Sequence, residues 1–492
     1  LPIAMPDAVL QECGGRKAGD GSVRFTDKGK APYYLGTDNE ATAIQFARDY
    51  GQTYAKYPFM IYQIQNKFRE ETSLKADLIK LREFIAKEAW SFHASQEDMR
   101  QHYDKCYKAY EKIFARAGIP DVIPVVSGYG AYSSHEFVLL NPAGDKPIAV
   151  CGVCDYRASA EVAENVVETP RDAVSEEMAD VHTPDSKTID DLCAFMNTTP
   201  DKCTKAVVYQ RSTDDTFVAV FLRGDLDISE TKLKNYLGCE VYPAIITEAS
   251  GICAGYIGPQ NQSAAVTVLF DNSLKDANNL VTGANKEEYH CSGLDMIRDL
   301  PNAEYHDLSE ILEGGLCPKC RQKAISIQQG IEVGSIAQIG SKYSELMGMK
   351  FAAQEGGEAS PVMGCYNINI SQLAATVCEA RHDDYGPVWP TSIAPWQVHI
   401  CALRSNDEAV AAASAALYND LLNLGVEVIF DNRLESAGVI FADADLLGVP
   451  VRVIASPKTI GRGVLEIKTR DKSVSEDVEI SKALEFIQSL IK

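Results

Sequence analysis

YQIQNKFREE at residues 62–71 and LREFIAKEAWSF at 81–92 are the stretch on which the fold turns. They lie in a region, 41–118, that reads mostly as helix and strand. It closes with EDMRQHYDKCYKAYEKIFARAG (97–118), an amphipathic helix whose final Gly118 is a C-cap signal. Apolar strand-like runs follow at IPVVSG (123–128), EFVLLN (136–141) and PIAVCG (147–152).

Further along, the texture changes. From about 163 to 184 the chain is acidic and punctuated by prolines, which reads as a linker. TIDDLCAFM (188–196) is a capped helix start, and KAVVYQ, TFVAVFLRG and AAVTVLFD are strands of a self-contained α/β unit reaching about 315. The strand pattern returns in GIEVGSIAQIG (330–340), followed by a helix, ISQLAATVCEARH (370–382). A second boundary falls at WPTSIAPW (389–396), and the tail then alternates strands and helices, predicting a mainly parallel sheet covered on both faces.

The 492 residues exceed one hydrophobic core, and roughly three domains is the natural division. No apolar run approaches the ~20 residues that cross a bilayer. The opening LPIAMPDAVLQECGG lacks the basic start and apolar core of a signal peptide, so a cytoplasmic protein with no membrane partner is expected. A net charge of −22 argues against nucleic acid over the whole surface, yet a local basic strip can still hold RNA on an acidic body. The fourteen cysteines read as reduced thiols in such a compartment. Two CxxC pairs, Cys151/Cys154 and Cys317/Cys320, stand apart: four thiolates have the number and type for a tetrahedral zinc site, with unmetallated thiols as the alternative.

In order along nearly the whole chain, YQIQNKFREE, LREFIAKEAWSF, SSHEF (133–137), CGVCDYRASAEVAE (151–164), GIEVGSIAQIGSKYSELMG (330–348), PVMGCY (361–366), WPTSIAPWQVHI (389–400) and DNRLESAGVIFADADLLGVPVRV (431–453) resemble prolyl-tRNA synthetases of the bacterial type. The resemblance implies a multidomain α/β and α+β protein. A class II antiparallel-sheet catalytic domain spans 1–175 and 316–392. A YbaK-like α/β editing insertion occupies 176–315, and an α/β anticodon-binding domain 393–492. It implies ATP, Mg²⁺, proline or an analogue, and tRNA(Pro) as ligands. Pro2 falls at the proline ending motif 1, so the long helix of the class II dimer interface is missing, through a fragmentary sequence or natural loss; a homodimer is expected where that region is present.

By the same resemblance Arg69 clamps the α-phosphate, Glu71 accepts from the adenine amino group, Glu40 lies in the amino-acid-recognising loop, and His135 sits near the proline pocket, with Arg82 retained. Activation needs cations on the phosphates and an aromatic plane for adenine. Several departures bear on this. Ser73 and Ala76 replace an Arg and the stacking Phe, and Lys80 another Arg. Asp38, Asn39 and Ala41 replace Thr, His and Glu; Ser335 and Ala337 replace a His and a Phe. In motif 3, NINISQL replaces GIGVSRL: Asn367 and Asn369 stand for glycines, and Gln372 for the arginine gripping the γ-phosphate. A neutral amide cannot supply that charge-assisted pair.

In the insertion, the resemblance assigns Lys205 to the tRNA 3′-terminal phosphate. RGD at 223–225, Gly251, Gly255 and Gly258, Asp271 and His290 also fall at family positions, for hydrolysis of alanine mischarged onto proline tRNA. Ester hydrolysis needs an oriented water and help for the leaving 3′-oxygen, which closely approaching backbone amides suit. In the tail, Asp431, Arg433, Glu435 and Phe441 match the anticodon-binding string, while Ser436 and Ile440 replace an Arg and a Lys that would face the anticodon. Three functions stay open on these residues: a proline–tRNA ligase with editing, a degenerate paralogue acting as trans-editing hydrolase or tRNA-binding regulator, and a ligase for another amino acid or a non-tRNA carrier.

Overall fold

The computed structural model describes residues 1–14, 22–36, 39–70, 78–128, 134–169, 171–247, 250–262 and 266–491. They divide into two compact units, one of Leu1–Ile123, Val333–Ile336 and Gly340–Lys492, the other of Pro124–Glu332 and Ala337–Ile339.

In the first unit, strand Phe59–Phe68 runs antiparallel to Glu83–His93, from Phe59 opposite Phe92 to Phe68 opposite Glu83. Val362–Asn369 pairs antiparallel with the other edge of Glu83–His93. Burial alternates along Phe59–Phe68, whereas Glu83–His93, paired on both sides, is almost wholly buried from Glu88 to His93. Helix Gln96–Arg116 starts where Ser95 Oγ accepts from the Asp98 amide, with Glu97 and Asp98 in its first turn and Arg116 in its last. Met99, Tyr103, Tyr110 and Phe114 form its buried stripe. Gly118, read as a C-cap signal, has φ 91°, and a Cβ there would lie 2.6 Å from Pro390 Cγ.

The C-terminal part of this unit is a five-stranded sheet ordered Val428–Asp431, Val398–Ala402, Val451–Ala455, Val464–Thr469, Ser475–Glu479. Helices Glu408–Asn423 and Ile480–Ile491 pack with a core of Val398, Ile400, Val453 and Ile467, while Ile440 and Ala444 of helix Ala437–Leu447 pack with Cys401. A mainly parallel sheet was the expectation; only the first two of the four pairings are parallel. The reason is connection length. A parallel crossover takes a dozen or more residues, and neither the segment 456–463 nor the turn 470–474 supplies that.

In the second unit, Lys146–Cys151 pairs antiparallel with the start of strand Ile325–Gly340. Beyond these strands lies a five-stranded sheet ordered Val241–Pro243, Thr204–Arg211, Phe217–Arg223, Val266–Asp271, Tyr305–His306, with a three-stranded antiparallel sheet of Ala179–His182, Tyr289–Leu294 and Leu280–Lys286. Helix Ile189–Met196 is capped by Thr188, as its sequence predicts. The stretch 163–184, read as a linker, is instead strapped down. Arg171 makes a bidentate pair with Asp295 at 3.0 and 2.6 Å, Asn165 Nδ2 donates to Ser309 Oγ at 2.9 Å, and 179–182 becomes a strand. Among the described residues no helix is long and apolar enough to cross a membrane.

Candidate functional site

The second unit contains a cavity of about 530 Å³ whose lining includes Lys187, Thr188, Lys205, Asp225, Gly255 and His290. Lys205, in strand Thr204–Arg211, places Nζ 2.5 Å from Asp227 Oδ1 and 3.2 Å from the Leu226 carbonyl. His290 is 5 % exposed. Its Nδ1 lies 2.6 Å from Thr183 Oγ1, and its ring tilts against Tyr256 at 5.3 Å. Burial holds the imidazole below its ordinary pKa, which favours the neutral ring. The Thr183 backbone is fixed in turn by its N–H donating to the Glu288 carbonyl at 2.8 Å.

Two backbone segments meet beside the cavity. A Cβ on Gly258 would lie 1.8 Å from the Gly283 carbonyl oxygen, and one on Gly283 would lie 2.3 Å from the Tyr256 carbonyl carbon. No side chain fits at either position. Gly255 has φ 85° and packs on the Lys187 stem. Gly251 has φ 66° with open space beyond it; its glycine serves the turn, and neither Gly251 nor Gly258 is part of the lining. Asp225 lines the cavity while closed in a pair with Arg223, Nε to Oδ1 2.5 Å and NH2 to Oδ2 2.7 Å.

Asp271, read as catalytic, is placed elsewhere. It is 1 % exposed and outside the lining, and its oxygens accept from the amides of Ser273, Leu308 and Ser309 and from the Ser309 hydroxyl. Those bonds tie strand Val266–Asp271 to the chain after Tyr305–His306. Thr183, Lys187 and Gly283 were missed. The Thr183–His290 contact joins residues 107 apart, through the pairing of Ala179–His182 with Tyr289–Leu294, and no local signal announces it.

The two CxxC pairs converge. Cys151 Sγ lies 3.7 Å from Cys320 Sγ, Cys154 Sγ 3.6 Å from Cys317 Sγ, and all four sulfurs fall within 4.8 Å of one another. A tetrahedral zinc with Zn–S near 2.3 Å has sulfurs about 3.8 Å apart, so the donor set fits that ion. The amides of Val153 and Cys154 both point at Cys151 Sγ, at 3.4 Å, as they would towards a thiolate.

In the first unit, Arg69 follows strand Phe59–Phe68. Its amide donates to the Arg82 carbonyl at 2.9 Å, its Nε to the Leu81 carbonyl at 3.1 Å, and its guanidinium lies 5.0 Å over the Phe84 ring. Arg82 is exposed. Lys67, opposite Phe84, and Glu88, opposite Gln63, form a buried ion pair along the ladder, and Gln63 Nε2 donates to Glu88 at 2.8 Å. Glu40 opens helix Glu40–Arg48, and its Oε1 accepts from the Cys365 thiol at 3.6 Å; that thiol also lies 3.5 Å from Asn367 Oδ1. His135 lies in the second unit, half-buried, with its pKa lowered by burial. Glu71, Ser73, Ala76 and Asp38 fall outside the described residues.

Gln372 has a partner. Asn369 is the N-cap of helix Ile370–Ala380: its Oδ1 accepts from the Gln372 amide at 3.0 Å, and its Nδ2 donates to Gln372 Oε1 at 3.0 Å. Asn369 and Gln372 therefore hold each other at the helix start, through one cap bond to the Gln372 amide and one bond between their side chains.

In the C-terminal sheet, Asp431 accepts from Arg433 Nε at 3.0 Å and NH2 at 2.7 Å, and the same NH2 reaches Asp443 at 2.7 Å. Glu435 is exposed, and Phe441 is half-buried below the Arg452 guanidinium, 5.8 Å from its ring centre. Ser436 is the N-cap of helix Ala437–Leu447. The expectation that position 440 faces a ligand is overturned: Ile440 is wholly buried against Cys401 and Ala444, because the helical phase from Ser436 points it at the sheet.

Residues 23–381 match the family described as tRNA synthetase class II core domain (G, H, P, S and T), and 397–490 match the anticodon binding domain. The chain is 36% identical over 503 residues to a proline--tRNA ligase of Syntrophus aciditrophicus, covering 100% of this chain and 86% of that protein. It is 37% identical over 499 residues to one of Dehalococcoides mccartyi, covering 100% and 87%. A crystal structure of prolyl-tRNA synthetase from Cryptosporidium parvum complexed with halofuginone and AMPPNP is similar in fold, with TM-score 0.55 and 12% identity, covering 100% of this chain and 66% of that one.

Proposed function

We propose, from the premise that this chain belongs to the class II tRNA synthetases and within them to the proline--tRNA ligases, that it ligates proline to tRNA(Pro) and clears alanine from that tRNA in its insertion. In the ligation, the proline carboxylate attacks the α-phosphorus of ATP, pyrophosphate leaves, and the tRNA 3′-terminal hydroxyl then takes the acyl group. Mg²⁺ would neutralise phosphate charge. In this reading Arg69, which donates to the Leu81 carbonyl and lies over Phe84, would meet the α-phosphate, and Glu40, which accepts from the Cys365 thiol, would meet the amino acid. The division into catalytic segments 1–175 and 316–392, editing insertion 176–315 and anticodon module 393–492 belongs to this reading. So does zinc at Cys151, Cys154, Cys317 and Cys320, where it would pin together the two ends of the insertion.

One observation carries the hydrolytic half: the cavity gathers Lys205, His290 and Gly255 from segments far apart in sequence. An incoming phosphate would take the place of the Asp227 carboxylate at Lys205 Nζ. With its Nδ1–H given to Thr183 Oγ1, a neutral His290 would use Nε2 to take a proton from the attacking water, and the imidazolium so formed would return it to the leaving 3′-oxygen. The alanyl ester bond breaks between acyl carbon and 3′-oxygen; water supplies the hydroxyl to alanine and a proton to the tRNA.

The test is hydrolysis of alanyl-tRNA(Pro) alongside proline-dependent ATP–pyrophosphate exchange. Hydrolysis lost in Lys205→Ala, with exchange unchanged, supports the assignment. No hydrolysis by the wild type refutes it. A second reading, hydrolysis in trans with activation silent, is favoured by the neutral cap at Gln372; absent exchange with intact hydrolysis would select it.

A further inference from the structure

We propose that Cys193 and Cys203 are an oxidisable pair behind the lining of the cavity, closed into a disulfide by a low-molecular-weight disulfide such as oxidised glutathione. Their Sγ atoms lie 3.8 Å apart, outside the four-cysteine cluster. Cys193 is half-buried on helix Ile189–Met196, whose Ile189, Asp190 and Leu192 line the cavity. Cys203 is fully buried and immediately precedes Thr204 and Lys205, which line it from the opposite direction of the chain. The two sulfurs share a small apolar cluster with Leu192 and Val281.

A disulfide requires sulfurs about 2.05 Å apart, so closure brings them nearly 2 Å nearer. The Cys203 side is anchored. Its carbonyl accepts from the Gly224 amide at 2.8 Å, and a Cβ on Gly224 would lie 3.2 Å from Cys203 Cβ. The movement therefore falls to Cys193 and its eight-residue helix, which ends at Asn197 in the left-handed region, φ 51°, before a turn back to Cys203.

The order of reaction follows from access. Burial, with the neighbouring Cys193 adding to it, holds the Cys203 thiol well above its ordinary pKa, and Cys193 is the sulfur that solvent reaches. Cys193 thiolate attacks one sulfur of the small disulfide; a mixed disulfide forms and one thiol leaves. Cys203 thiolate then attacks the Cys193 sulfur and the second thiol leaves. Two protein thiols are oxidised by two electrons, and one small disulfide is reduced to two thiols. Closure drags Ile189, Asp190 and Leu192 with it and changes the cavity. Only that last consequence rests on the hydrolytic function proposed above.

The experiment equilibrates the full chain with glutathione buffers of defined ratio, quenches by alkylation and maps peptides by mass, with alanyl-tRNA hydrolysis measured on the same samples. A Cys193–Cys203 cross-link, lost with dithiothreitol and absent in Cys193→Ser, is the expected result. Hydrolysis in the oxidised wild type should fall by at least about tenfold, since misplacement near 1 Å can cost more than that, with no redox response in Cys193→Ser. Both cysteines remaining alkylatable in oxidised glutathione, or a glutathione adduct persisting on Cys193 without closure, overturns the pair. A cross-link that leaves hydrolysis unchanged overturns its control of the site. If reduced protein hydrolyses nothing, the functional reading has failed, and the cross-link together with slowed amide exchange across 189–206 still decides the pair.

Discussion

Replacing Gln372 by Arg should make the protein a better adenylate-forming catalyst and a less stable one. Gln372 is the third residue of helix Ile370–Ala380, and its side chain accepts from the Asn369 cap at 3.0 Å. Arginine forfeits that amide–amide bond, about 1 kcal/mol, and sets a cation in the first turn against the helix dipole, a further 0.3–1 kcal/mol or so. Unfolding free energy should therefore drop by roughly 1–2 kcal/mol, readable by urea denaturation. A guanidinium reaching a phosphate contributes about 1.5–3 kcal/mol, which corresponds to roughly ten- to 150-fold in rate if it acts only in the transition state. Proline-dependent ATP–pyrophosphate exchange measures the gain. Gln372→Lys should gain less, because an ammonium cannot bond two phosphate oxygens through a planar fork. A folded Gln372→Arg protein, destabilised as calculated, that exchanges no faster than wild type would refute the argument. Wild-type exchange already as fast as the arginine variant's would refute it too.

Acid should loosen the C-terminal sheet through His399, whose ring nitrogens have no hydrogen-bond partner among the described residues and whose pKa burial depresses from 6.5 to about 4. The folded pKa is the lower one, so the stabilisation is complete above pH 6.5 and lost as pH falls towards 4, about 3 kcal/mol in all; amide exchange along Val398–Ala402 at pH 7 and 4.5 should show it, and His399→Leu should flatten the response. Zinc content by mass spectrometry should be near one per chain and fall well below that in Cys317→Ser, with chelation freeing the amides at the start of strand Ile325–Gly340; no metal in freshly purified protein would refute the site. Asp271→Ala leaves four buried donors without their acceptor and should destabilise the second unit by about 2–4 kcal/mol, seen as faster exchange at Leu308 and Ser309. Asp271→Ala with normal stability and no hydrolysis would return that residue to the chemistry.

How far the sequence could be read depended on whether the deciding interaction was local. Thr188 three residues before Asp191, and Ser95 three before Asp98, announce their helices within one turn, and both helices begin there. The four cysteines were legible because spacing and type are the whole signal. The strap at 163–184 was not: its composition is that of a linker, and the partners that hold it down, such as Asp295 for Arg171 and Ser309 for Asn165, lie more than a hundred residues further on. The C-terminal sheet was misjudged because helix–strand alternation suggested crossovers, while the lengths of 456–463 and 470–474 compelled antiparallel pairing. Position 440 was misjudged because a match by string does not carry the phase of the helix. The Asn369–Gln372 cap was spelled out at spacing three, but against a family pattern it read only as a loss.

The two sites differ in what the fold itself demands of them. Gly258 and Gly283 are fixed by backbone collision, so their presence speaks for the packing of the second unit and not for any chemistry there. Gln372 is the opposite case: as a cap partner it stabilises the helix, and an arginine there would persist only while something other than stability required it. Lys205 and His290 decide between these situations. Lys205 keeps a charged head at the cavity rim, bonded to an exposed Asp227, an ion pair worth at most about 1 kcal/mol to the fold. His290 is a depressed-pKa imidazole where an apolar ring would pack against Tyr256 at less desolvation penalty. Neither residue is fixed by backbone collision, and the cavity brings the two together; the case for chemistry in the second unit rests on these two side chains and not on its glycines.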